Sequence, residues 1–301
     1  MTAVIVEEGP DKGAIWHFGE PVKEQRALIE GLAWADLSHL EAIAISGADR
    51  LKWLHDLTTQ HLEALPAGQW TSALILDPRG RIEYQMNIVD DGETTLLILD
   101  PGYLQPLMAY LEKMKFMLRV DVRDATQEYA VLRAPGVPTE LGGPFALVPR
   151  AELEEMKTTF GASAMQVGTW ALDAERVGAG RPRIGFETDH KSIPNELGLL
   201  NGSVHMSKGC YRGQETVAKI FNLGNPPRRL VMLHLDGTEV LMPPTGTPVE
   251  NDGVVVGYLG TVARHHELGP IALAVVKRTT PVEANLTVAG VSASQQVIVP
   301  A

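Results

Sequence analysis

Cysteine is almost absent from this chain. Cys210 is the one thiol among 301 residues, which excludes an internal disulfide and any cysteine-rich zinc or iron–sulfur centre held by this chain alone. Aromatic residues make up 6%. No run of 18 apolar residues occurs, so nothing reads as a membrane span. Residues 1–11 carry Glu7 and Glu8 and no apolar signal core, so the expected location is the cytoplasm. Phosphate loops of the GxGxxG or Walker kind are missing, as are HExxH and GxSxG. Dinucleotide, nucleotide triphosphate, zinc-peptidase and serine-hydrolase chemistry are therefore not expected. Positive charge is also scarce. A formal net charge of -11 argues against broad binding to nucleic acid, whose phosphates would be repelled.

What is present is a chain long enough for two or three domains with sizeable cores. A short helix is expected over 24–32, then strands at 34–37 and 41–45. Ser46-Gly47-Ala48-Asp49 resembles a capping box that opens a helix to Leu57, with Leu51, Leu54 and Leu57 on its apolar face. Strands follow at 70–76, 82–89 and 94–99, the first two joined by a turn at Asp77-Pro78-Arg79-Gly80. A helix over 103–116 and a strand at 118–122 complete an antiparallel sheet with helices on one face, a ferredoxin-like α+β unit. Beyond it come a strand at 128–134, a Gly/Pro-rich connection at 136–149, and helices at 151–160 and 169–177. Residues 178–203 read as a long irregular segment, usually a functional feature in a compact domain. Pro226-Pro227-Arg228-Arg229 looks like a boundary. Strands at 230–235, 254–260, 271–276, 282–288 and 296–299 then suggest a closed antiparallel barrel or a sandwich.

The loop before the boundary holds the lone thiol: Lys208-Gly209-Cys210-Tyr211-Arg212-Gly213-Gln214-Glu215. Cations two residues to either side and a following helix N-terminus both favour the thiolate over the thiol. Gly209 and Gly213 let the backbone bend and lie close to a ligand. Tyr211 could stack on a planar ring or simply fill the core. From Arg176 to Arg229 there are nine Lys/Arg against four Asp/Glu. That excess reads either as a solvated basic face or as a pocket for an anionic small molecule. Arg176, Arg181 and Arg183 suit a carboxylate, since guanidinium groups grip carboxylates in a bidentate fork. His265-His266-Glu267 is expected to be an exposed turn, because neighbouring strand residues face opposite ways and cannot readily share an ion. His17, His39, His55 and His61 are scattered at no ligand spacing. No metal site is expected.

The loop, continuing through Val217-Ala218-Lys219, resembles the K-G-C-Y-x-G-Q-E signature of the YgfZ family, folate-binding relatives of the glycine-cleavage T-protein implicated in maintaining iron–sulfur proteins. Thr58-Thr59-Gln60, the Asp77–Ile82 turn and Ile193-Pro194-Asn195-Glu196 match weaker parts of the pattern. The resemblance implies an α+β, three-domain aminomethyltransferase (T-protein)-like cloverleaf. Residues 1–45 and 125–225 would form a discontinuous first domain, 46–124 a ferredoxin-like domain, and 226–301 a C-terminal β-barrel. It also implies a site for tetrahydrofolate or a derivative, with Cys210 and Lys208 as functional thiol and cation. Tyr211, Arg212, Gly213, Gln214, Glu215, Arg176, Arg183 and Glu187 would contact the cofactor, and iron–sulfur client or assembly proteins would be partners. Two positions depart from the pattern. The strand after the turn reads Arg81-Ile82-Glu83-Tyr84-Gln85, without the transferase's aspartate, and Gly178 stands where relatives carry a pterin-pairing glutamate. The first weakens a one-carbon transferase reading; the second weakens folate binding or leaves the pterin edge to another group such as Glu187.

Overall fold

The computed structural model describes residues 2–137, 145–224, 226–237 and 242–300. The chain forms two compact units. One comprises Met1–Leu76, Glu83–Ala171 and Gly202–Arg212, and the other Asp77–Ile82, Leu172–Asn201 and Gly213–Ala301. Among the described residues no helix is long and apolar enough to cross a membrane.

The first unit is built on a five-stranded sheet with the order Thr71–Leu76, Ile82–Asp90, Thr94–Leu99, Glu41–Ser46, Asp121–Asp124. Ile43, Ile45, Ile75, Met86, Ile88, Leu97 and Leu99 meet Trp53 and Leu54 of the helix Arg50–Leu57 and Leu104, Leu107 and Leu111 of the helix Leu104–Lys115. The alternate residues Ala42, Ala44, Leu74, Leu76 and Ile98 are buried as well. That explains why the strands read as nearly continuous apolar runs rather than alternating ones. A second sheet of four strands has the order Ala146–Pro149, Tyr129–Arg133, Ala33–Asp36, Met165–Gln166. Of the expected connection at 136–149, residues 138–144 lie outside the described part.

The expected capping box does not form. Ser46 ends a strand, and the Asp49 carboxylate accepts hydrogen bonds from the Arg119 amide and guanidinium instead of capping its helix. Gly47, at φ 107°, lies so close to the Arg119 carbonyl that no β-carbon would fit. The four-residue pattern is therefore a close crossing of two chain segments, and only its spacing resembles a cap.

The second unit closes a six-stranded antiparallel barrel, Arg228–Leu235, Gly269–Lys277, Val254–His265, Pro248–Asn251, Leu286–Val288, Val291–Val297. Closure removes the free edges that an open sheet would expose. Its interior is aliphatic, with Val231, Leu233, Leu259, Ala274, Val276, Leu286 and Val288 fully buried. Pro248–Asn251, which no strand was expected to cover, bridges Val254–His265 and Leu286–Val288. Arg228 and Arg229, expected at a boundary, are instead the first residues of the barrel's first strand.

Candidate functional site

The signature loop divides between the two units. In the first unit its side chains have contrasting fates. Cys210 is exposed. Lys208, at 6% exposure, is buried. Its ammonium donates to the carbonyls of His55, Thr58 (2.6 Å) and Gln60 (3.2 Å), the oxygens left over where the helix Arg50–Leu57 ends. Burial lowers the Lys208 ammonium to about 8, with Asp56 and Glu63 opposing. Tyr211 is also buried, with the Lys208 ammonium 5.3 Å from its ring centre, and burial raises its phenol to about 12. Arg212 pairs with Glu83 at 3.2 Å and lies 5.9 Å over the Tyr110 ring. Glu83, on the strand that lacks the transferase's aspartate, is thus brought to the loop.

The same segment carries a polar lattice. Thr58 and Thr59 have no exposed surface. Thr59 Oγ1 donates to the Ser203 carbonyl (2.5 Å) and accepts from the Leu74 amide (2.9 Å). Gln60 Nε2 donates to the Ser72 and Gly202 carbonyls, each at 3.1 Å.

In the second unit the loop continues as Gly213, followed by Gln214 and the exposed Glu215, which open the helix Gln214–Leu223. Gly213 has φ 82°, and a β-carbon there would come within 2.6 Å of the Asp77 carbonyl and 2.8 Å of Gly80 Cα. Gly80, at φ 78°, meets Gly213 and Thr216 in return. The two sequence motifs therefore touch, glycine on glycine. Gly209 differs from the expectation: its φ is not left-handed, and a β-carbon there would meet open space.

Glu187 has no exposed surface. Its carboxylate accepts from Arg176 (3.2 Å), the Arg183 amide (2.8 Å) and the Thr261 amide (2.6 Å), and its carbonyl accepts from the Tyr258 hydroxyl (3.0 Å). A bulge in the barrel strand, one extra residue between Leu259 and Val262, takes the Thr261 amide out of the ladder and aims it at Glu187. Gly260 leaves the space that the carboxylate fills. Arg176 also bonds Asp173 and Thr261. Two groups expected to contact the cofactor thus hold each other, while the Arg183 guanidinium lies 4.9 Å over the Phe186 ring.

Much of the basic excess is met by acids that the 176–229 window missed. Arg181 pairs with Glu175, Arg176 with Asp173, and Arg212 with Glu83. Arg228 joins Asp189 (2.7 Å) and Glu196 (2.8 Å), which is 1% exposed. Glu196 and Asn195 come from the Ile193-Pro194-Asn195-Glu196 segment. Asn195 Nδ2 donates to the Val217 carbonyl, while its buried Oδ1 has no donor among the described residues. The expected turn forms at residues 266–268 and Glu267 is exposed, but His265 and His266 are partly buried, with the His266 side chain 7% exposed. The His265 ring packs over Gly178, where a β-carbon would lie 3.1 Å from Cδ2.

Sequence spacing also missed a group of metal-ligand type. His55, His61 and Glu63 each bring one donor atom within 4.8 Å of the others. His55 belongs to the helix Arg50–Leu57 whereas His61 and Glu63 follow it in the irregular turn, so no single helix or strand period spans the three.

Residues 14–138 match the GCVT N-terminal domain model. A putative chloroplastic transferase of Arabidopsis thaliana is 25% identical over 83% of this chain, which spans 66% of that protein's length. A mitochondrial iron–sulfur cluster assembly factor homologue of Mycosarcoma maydis is 25% identical over 88% of this chain and 72% of its own. The tRNA-modifying protein YgfZ of Yersinia enterocolitica is 27% identical over 64% and 67%. The crystal structure of the glycine cleavage system aminomethyltransferase T from Bartonella henselae superposes with a TM-score of 0.80 over 98% of this chain and 92% of its own, at 17% identity. The fold is therefore the aminomethyltransferase T-like one, α+β with a C-terminal six-stranded antiparallel barrel. By sequence the chain is similar, at 25–27% identity, both to the cluster-assembly and YgfZ proteins and to the aminomethyltransferases.

Proposed function

We propose that this protein is a folate-binding accessory factor that supports iron–sulfur cluster assembly or repair through Cys210. One observation carries the reading: of Lys208, Cys210 and Tyr211, only the thiol is open to solvent. Lys208 is buried against the segment that it braces, and Tyr211 is buried with its ring beside the Lys208 ammonium. An exposed thiol on a braced loop suits contact with a protein client. Because one thiolate cannot hold a cluster by itself, Cys210 would supply one ligand of a cluster shared with a client or assembly protein. Tetrahydrofolate or a derivative would lie against the loop, with Arg212, Gly213, Gln214, Glu215 and Arg183 as contacts. Arg176 and Glu187 would hold each other within the second unit. Similarity to a cluster assembly factor and to YgfZ supports this choice. So does the pairing of Glu83 with Arg212, which places a carboxylate in an ion pair on the strand where the resemblance lacks the transferase's aspartate.

Replacing Cys210 with Ala in a strain lacking the gene is expected to leave iron–sulfur enzyme activities as low as in the deletion; normal activities overturn the central role of the thiol. Titration with tetrahydrofolate, followed through the five tryptophans, is expected to give a saturable fluorescence change, and no change at millimolar ligand removes the folate. Turnover of an aminomethylated carrier protein would establish the transferase reading instead.

A further inference from the structure

We propose that His55, His61 and Glu63 form a binding site for a divalent transition ion of the zinc class, independent of the Cys210 loop's proposed role. One donor atom from each lies within 4.8 Å of the other two. Ligands around a tetrahedral ion at ~2.0–2.1 Å stand about 3.4 Å apart, so closing the site requires a movement of little more than an ångström. The parts that must move can do so, because His61 and Glu63 are exposed whereas His55 is buried and fixed.

The backbone presenting these groups is braced. Lys208 ties the carbonyls of His55, Thr58 and Gln60 to one nitrogen, and Thr59 and Gln60 are bonded to Ser203, Gly202 and Ser72. The His55 and His61 rings are edge to face with centres 4.8 Å apart, and the His205 ring, 5.3 Å from His61, limits its swing. The turn thus holds its ligands near a binding geometry before any ion arrives, which lowers the ordering cost of binding.

The donor set selects the ion. Two imidazoles with one carboxylate suit zinc, nickel or ferrous iron, whereas calcium and magnesium prefer all-oxygen shells. Binding has identifiable costs. The Leu62 amide donates to His55 Nδ1 at 3.3 Å, a long bond that is lost when the imidazole becomes a ligand. Lys52, 4.0 Å from Glu63, must swing away, which it can do because it is exposed and already holds Asp56 at 3.3 Å. Asp56 and Glu63 together supply two negative charges against the ion and the Lys208 ammonium.

The test is calorimetric titration of the metal-stripped, full-length protein, carrying no histidine tag, with zinc chloride. One ion per chain is expected. His61→Ala and Glu63→Gln should each weaken binding by at least about tenfold, the lower bound seen when even outer-shell partners are changed. Cys210→Ala should leave the affinity unchanged. Because both altered side chains are exposed, melting curves without metal should match the wild type. Cobalt should add a visible absorption band in the wild type that His61→Ala loses. No binding, equal binding by the wild type and both variants, or loss with Cys210→Ala would each overturn the site.

Discussion

At the residue scale, Lys208 is the side chain whose role the structure most clearly defines. Its charge serves three carbonyl oxygens at the end of a helix rather than standing beside the thiol as a free cation. Lys208→Met should leave those oxygens buried without a donor. At about 1.5–3 kcal/mol for hydrogen bonds to a charged group, it should lower the unfolding free energy by roughly 2–3 kcal/mol. Denaturant titration measures this, and faster amide exchange at Thr58 and Thr59 should accompany it. Lys208→Arg should not rescue the loss, because a planar fork cannot converge on three oxygens as one ammonium does. A normal midpoint in either variant would remove the bracing role. Gly213 makes the second residue-scale case. With φ at 82° and the Asp77 carbonyl 2.6 Å from any β-carbon, Gly213→Ala should destabilise severely, whereas Gly209→Ala, facing open space, should melt like the wild type.

At the scale of elements, the bulged barrel strand Val254–His265 connects register to chemistry. The extra residue frees the Thr261 amide, Gly260 admits the Glu187 carboxylate, and that carboxylate anchors Arg176 on the helix Thr169–Gly178. Gly260→Ala should therefore break more than a strand. It should cost about 1–3 kcal/mol, as overpacking typically does, and the loss should largely vanish when combined with Glu187→Ala, which removes the obstructing carboxylate. A double-mutant cycle reads this coupling, and strict additivity would contradict it. Gly178→Ala should be milder, since it meets a His265 ring at 3.1 Å rather than a fixed backbone.

Across the whole molecule, several carboxylates tie stability to acidity. Burial alone would raise Asp189, yet the Arg228 guanidinium and the Lys191 amide hold it well below the usual range. Asp90 is likewise opposed by burial but lowered by Arg50 and Thr95, and Asp36 by Ser38 and Lys157. A carboxyl whose folded value is depressed contributes stability that is complete above its unfolded value of about 3.9 and is lost as pH falls below it. The contribution of these carboxylates should thus be constant from neutral pH to about 5 and drop steeply below about 4. Asp189→Asn should lower stability at neutral pH and make the acid limb shallower. An acid limb of unchanged slope would show that Asp189 does not contribute.

The sequence by itself determined the elements with strong periodicity. The antiparallel sheet strands, a helix opening after the signature and an antiparallel C-terminal barrel or sandwich were all legible, because burial imposes its spacing on local sequence. So was the importance of the Lys208–Glu215 stretch, whose glycines, lone thiol and cations are unusual together. Partnership across long separations was not legible. Which cations are paired depended on Asp173, Glu175 and Glu83, acids outside any window drawn around the basic cluster. The false capping box, the strand Pro248–Asn251, the enclosure of Glu187 and the meeting of Gly80 with Gly213 likewise arose from segments far apart in the chain. Local composition records how a segment contacts solvent, whereas hydrogen-bond and ion-pair partners are fixed by where distant segments come to rest. Only the tertiary structure decided, therefore, that Lys208 braces a turn, that Cys210 stays exposed while Lys208 and Tyr211 are buried, and that His55, His61 and Glu63 converge.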